Sequence, residues 1–127
     1  MDRHHTAVWI DHQEAHVFEV DAETFSETTV KKPGHHRRHP RSEGPEHNHP
    51  DDEPRFFAAL AAALSGSGPV LLMGPADEKL HFRDYVAAHA STLKLTIAGV
   101  ETVDHPSDAQ LVAYARKYLK AAERMVP

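Results

Sequence analysis

Five histidines and three arginines fall within twenty residues, Pro33 to Asp52, which read PGHHRRHPRSEGPEHNHPDD. Two kinds of chemistry suit that mixture. Cationic side chains neutralise phosphates, and Arg and His stack on exposed bases. Lys31, Lys32, Arg37, Arg38 and Arg41, helped by His35, His36 and His39, therefore read as an RNA-contact set. Imidazole nitrogen is also a good ligand for Zn²⁺, Ni²⁺ or Cu²⁺. His35-His36-x-x-His39 and His47-x-His49 offer such ligands. A selective site needs fixed geometry and supporting contacts around each ligand. The intervening Pro and Gly give no sign of it, so the expectation is weak Zn or Ni binding and no required cofactor.

The same stretch contains no Leu, Ile, Val, Phe, Tyr or Trp. It cannot bury enough apolar surface to offset its ordering entropy, and it reads as a flexible loop at about 33–52. Glu43, Glu46, Asp51, Asp52 and Glu53 follow the basic run, which makes the segment bipolar. Its histidines add positive charge below about pH 6.5.

A second constellation is acidic. Asp11 closes an apolar run, and Asp104 and Asp108 flank the start of the last helical pattern. Carboxylates at strand ends can hold two metal ions for nucleic-acid hydrolysis. Each also has a local use: Asp11 as a turn residue, Asp108 against the dipole of a helix N-terminus. His105 precedes Pro106, which holds it extended. Asp104, His105 and Asp108 are thus a candidate partner-contact group. Trp9 reads as sheet packing, His12 as a turn residue and His16 as a solvent-facing strand residue.

The elements that must position these residues are legible from periodicity. Thr6–Ile10, Ala15–Val20 and Thr24–Lys31 are short β-rich runs separated by polar turns, an antiparallel meander. After the loop the period becomes helical at Phe56, Phe57, Leu60, Ala61 and Leu64. Asp51 or Asp52 can cap that helix, and Pro54 suits its first turn. Val70–Met73 is continuously apolar, as in a strand covered on both faces, and Gly74-Pro75 ends it. Phe82, Tyr85, Val86, His89 and Leu93 mark a second helix. Leu95, Ile97 and Val100 alternate as a fifth strand. Ser107 with Gln110 forms a capping box before the apolar stripe Leu111, Ala115, Tyr118, Leu119 and Ala122. The order β-β-β-α-β-α-β-α predicts an α/β fold with a mixed five-stranded sheet of ribonuclease H-like layout.

The 127 residues suit one domain spanning 1–127, with 40% hydrophobic and 26% charged residues. The formal charge of −5 argues against indiscriminate nucleic-acid binding by the whole surface. Zero Cys excludes disulfides and a thiol nucleophile. No apolar run suits a membrane span or a signal peptide, so a cytoplasmic location and no membrane partner are expected. Gly74-Pro75 is not a phosphate-binding loop, because GxxxxGK[ST] is missing.

Three stretches, AVWIDHQEAHVFEV, VLLMGPADEKLHFRDYV and GVETVDHPSDAQLVAYARKYL, resemble small bacterial proteins called translational machinery proteins. The most specific part is Asp104-His105-Pro106-Ser107-Asp108 with Gln110-Leu111-Val112. That family is similar to the middle domain of eukaryotic- and archaeal-type peptide-chain release factors and of pelota. In those release factors the loop before the first long helix carries the Gly-Gly-Gln of peptidyl-tRNA hydrolysis. Here Gly34 and Gly44 are isolated, and the only glutamines, Gln13 and Gln110, lie elsewhere. The resemblance implies association with ribosomes or translation; with the residues above, the expectation is a non-enzymatic factor that binds ribosome or tRNA through the basic His/Arg loop. A His-rich metal-binding module is the alternative, and an RNA or peptidyl-tRNA hydrolase the second alternative.

Overall fold

The computed structural model of the chain describes residues 5–21, 23–32, 52–104 and 106–124. Three strands come first: β1 (His5–Ile10), β2 (Glu14–Val20) and β3 (Phe25–Lys31). They are followed by α1 (Asp52–Ala63), β4 (Val70–Gly74), α2 (Glu78–Ala88), α3 (Ala90–Leu93), β5 (Ile97–Thr102) and α4 (Asp108–Arg124). The strands form one mixed sheet in the order β3-β2-β1-β4-β5. β1–β2 and β2–β3 are antiparallel, whereas β1–β4 and β4–β5 are parallel.

The alternation of side chains along each strand sends two apolar sets to opposite faces. Val8, Ile10, Ala15, Val17, Val70 and Leu72 pack with Phe56, Phe57 and Leu60 of α1 and Phe82 and Val86 of α2. Ala7, Trp9, Phe18, Val20, Leu71 and Met73 pack with Leu111, Val112 and Ala115 of α4. Central β4 is therefore buried throughout, as its continuous apolar run requires. Its last residue, Gly74, has no room for a side chain, because a Cβ there would lie 2.3 Å from the Ile10 carbonyl oxygen.

The structure moves several boundaries. Asp52 is not loop: it opens α1 and is buried. β3 begins at Phe25 rather than Thr24, and β5 at Ile97, so Leu95 lies before it. The expected second helix is two, α2 and α3, with a break at His89. The His89 ring nitrogen Nδ1 lies 2.9 Å from the Tyr85 carbonyl oxygen, and the two rings stand 4.2 Å apart. Side chain and backbone thus compete for the same acceptor, and the helical path ends there. Lys94 then closes α3 at a left-handed φ of 55°. Among the described residues, no helix is long and apolar enough to cross a membrane.

Candidate functional site

Residues 33–51, which hold His35, His36, Arg37, Arg38, His39, Arg41, His47 and His49, lie outside the described residues. Both roots of that segment are defined. At the first root, Lys31 and Lys32 point to opposite faces of the sheet, as neighbours on an extended chain must. Lys31 is exposed, 3.5 Å from Glu14 Oε1. Lys32 is turned inward and is 8% exposed. Its backbone N–H donates to the Gln13 carbonyl at 2.9 Å, and its ammonium sits 5.6 Å over the Phe56 ring. At the second root, Asp52 and Glu53 form the acidic first turn of α1.

A polar cluster lies between these roots and the start of α2. Its centre is Glu78, 1% exposed. Lys32 Nζ approaches Glu78 Oε2 at 3.6 Å. His12 Nδ1 and His81 Nδ1 approach Glu78 Oε1 at 2.9 and 3.4 Å. His81 Nδ1 is also 3.6 Å from Glu53 Oε2. Asp77 stands behind both rings, 3.4 Å from His12 Nε2 and 3.9 Å from His81 Nε2. Despite these neighbours, neither carboxylate oxygen of Glu78 accepts a hydrogen bond of good geometry.

The electrostatics follow from that crowding. Burial pushes the Glu78 carboxyl above its ordinary value, and the adjoining Glu53 carboxyl pushes it further, against the pull of Lys32 and His12. Desolvation alone would lower the His81 imidazole, but Glu78, Asp77 and Glu53 together raise it. Among the described residues, Glu53, Glu78 and His81 are the group of three metal-capable side chains whose ligand atoms converge, all within 4.8 Å.

The acidic residues expected to act at strand ends do not converge with one another. Asp11 Oδ1 accepts from the N–H groups of Gln13 at 2.8 Å and Glu14 at 3.0 Å, an Asx turn between β1 and β2. The Asp104 carbonyl accepts from Trp9 Nε1 at 2.8 Å, and Trp9 packs in the sheet as expected. Asp108 is exposed in the first turn of α4. His105 lies outside the described residues. No metal-capable group among the described residues combines Asp11, Asp104 and Asp108.

Periodicity placed the elements but missed the Glu78 cluster, whose members come from the β1–β2 turn, the end of β3, α1 and α2. One signal was present in the sequence. A Glu at the start of a helix followed three residues later by His puts both on one helical face.

No protein-family model matches the chain, and no curated protein matches it. Among solved structures, the chain is similar to the Pelota protein of Thermoplasma acidophilum, at 18% identity and a TM-score of 0.65, over 87% of this chain and 31% of that one. It is also similar to Archaeoglobus fulgidus Pelota, at 16% identity and a TM-score of 0.54, over 99% of this chain and 32% of that one. The likeness is one of fold, and the chain spans about a third of the length of either Pelota protein.

Proposed function

We propose that this chain is a cytoplasmic, translation-associated factor that contacts ribosomal RNA or tRNA through the His/Arg segment 33–51 and Lys31. The observation that carries the reading is the likeness to the Thermoplasma Pelota protein over 87% of the chain at a TM-score of 0.65. It agrees with the resemblance of the sequence to translational machinery proteins and the middle domain of release factors and pelota. The strand order β3-β2-β1-β4-β5 supports the ribonuclease H-like layout that this comparison implies.

The segment leaves β3 and enters α1, the connection that carries Gly-Gly-Gln in the release factors. Here a bipolar sequence takes that place, and its basic first half is suited to phosphates rather than to positioning water. Gln110 closes the capping box of α4, and Gln13 lies in the β1–β2 turn, where its backbone carbonyl accepts from the Lys32 N–H. Asp11, the best-placed candidate for a hydrolase, already bonds its own turn. Binding without hydrolysis is therefore the favoured reading. The RNA-contact set narrows to Lys31, His35, His36, Arg37, Arg38, His39 and Arg41, because Lys32 faces Glu78.

Sucrose-gradient sedimentation of lysate tests this, with the native chain beside a variant carrying Gly-Ser in place of 34–51. The expected result is that the native chain travels with ribosomes and the variant stays at the top. Co-sedimentation of both would move the contact to the folded surface. Failure of both would remove the proposal.

A further inference from the structure

We propose that Glu53, Glu78 and His81 form a site for a divalent transition-metal ion of the Zn²⁺ class, at the root of the 33–51 segment. Three independent features lead there. The first is spacing. Ligand atoms around a four-coordinate Zn²⁺ at 2.0–2.1 Å stand about 3.3–3.4 Å apart. His81 Nδ1 is 3.4 Å from Glu78 Oε1 and 3.6 Å from Glu53 Oε2, which is close to that edge length.

The second is an unsatisfied acceptor. Glu78 is 1% exposed, yet neither of its oxygens accepts a hydrogen bond of good geometry. A buried carboxylate without such partners is costly. Lys32 approaches only Oε2, so Oε1 is left to the imidazoles and to an ion.

The third is the arrangement behind the ligands. A metal-bound histidine characteristically turns its other ring nitrogen to a carboxylate that fixes its orientation. Asp77 lies on that side of His81, with Oδ2 at ion-pair distance, 3.9 Å from Nε2, and Oδ1 is 3.4 Å from His12 Nε2. Charge agrees as well. Glu53, Asp77 and Glu78 face one ammonium, Lys32, so with neutral imidazoles a divalent cation balances the cluster. Such an ion would tie Glu53, one residue into α1, to α2, and so fix the point where the segment rejoins the fold.

This site is distinct from the histidines of the segment, and the test must separate them. Calorimetric titration with Zn²⁺ would use metal-stripped full-length chain in which His35, His36, His39, His47 and His49 are all Ala. The expected result is saturable one-to-one binding. Asp77→Asn should weaken it about 10- to 100-fold, and His81→Ala or Glu53→Gln by at least as much. Both ligand side chains are about half exposed, so these variants keep the fold. Absence of saturable binding in the His-depleted chain would overturn the site. So would affinities that change less than about twofold in both ligand variants, since removal of even an orienting partner exceeds that.

Discussion

His16 shows how one side chain joins two strands. On β2, its Nδ1 lies 2.5 Å from Glu27 Oε2 of β3 and its Nε2 lies 3.0 Å from Glu14 Oε2. Burial lowers its pKa, but the contacts with Glu27 and Glu14 outweigh this and leave it above the model-compound value of 6.5. A raised folded-state value means that the stabilisation is fully present below pH 6.5 and is lost as pH rises through the folded pKa. We expect urea denaturation to show native chain more stable than His16→Gln by about 0.2–1 kcal/mol at pH 5.5, with the gap closing by pH 9. A gap independent of pH would mean that packing, not charge, explains the residue. Alternation in the sequence put His16 on the strand; the Glu27 partner became visible only with the β2–β3 register. Trp9 likewise reads as core from its neighbours, but its bond to the Asp104 carbonyl spans the sheet. Trp9→Phe removes the donor and leaves that carbonyl without it, at an expected cost of about 1–3 kcal/mol in chemical denaturation. A loss under about 0.5 kcal/mol would show that the bond does not hold the β5–α4 connection.

At the scale of elements, local rules were legible where they rest on short-range chemistry. The capping box is one such case: Ser107 N–H donates to Gln110 Oε1 at 3.0 Å, and Gln110 N–H donates to Ser107 Oγ at 3.2 Å. Ser107→Ala should cost about 1 kcal/mol and reduce protection of the first amides of α4 in hydrogen exchange. Unchanged exchange there would mean that α4 is held by packing alone. That packing is substantial, because Arg116 also donates to the carbonyls of Asp21 at 2.8 Å and Thr24 at 3.1 Å, fastening α4 to the β2–β3 turn. The break at His89 was not legible, since the apolar spacing runs on through Leu93. It follows from where the His89 ring settles against Tyr85. The entry of Asp52 into α1 was half legible: the sequence offers Asp51 or Asp52 as a cap, whereas Asp52 is already in the first turn and buried.

The whole molecule divides its residues between a scaffold, whose pattern the sequence carries, and a polar cluster that exists only once the chain has folded. The strand periods, the apolar β4 run and the caps all point to the same mixed sheet, and agreement between levels makes such a prediction sound. Glu78, His12, Lys32 and Glu53 are far apart along the chain, and nothing short-range links them. Only the parallel pairing of β1 with β4 brings the β1–β2 turn beside the start of α2. The β2–β3 pairing fixes the first root of the 33–51 segment, and the packing of α1 on the sheet fixes the second. On the proposed function, the 33–51 segment binds the translation apparatus through phosphate contacts. Pelleting of the purified native chain with purified ribosomes across a salt series tests it most directly. The expected result is that the chain pellets with ribosomes at about 50 mM salt and is progressively released toward about 200 mM, as counterion release requires. A chain that stays in the supernatant at both salts would contradict it.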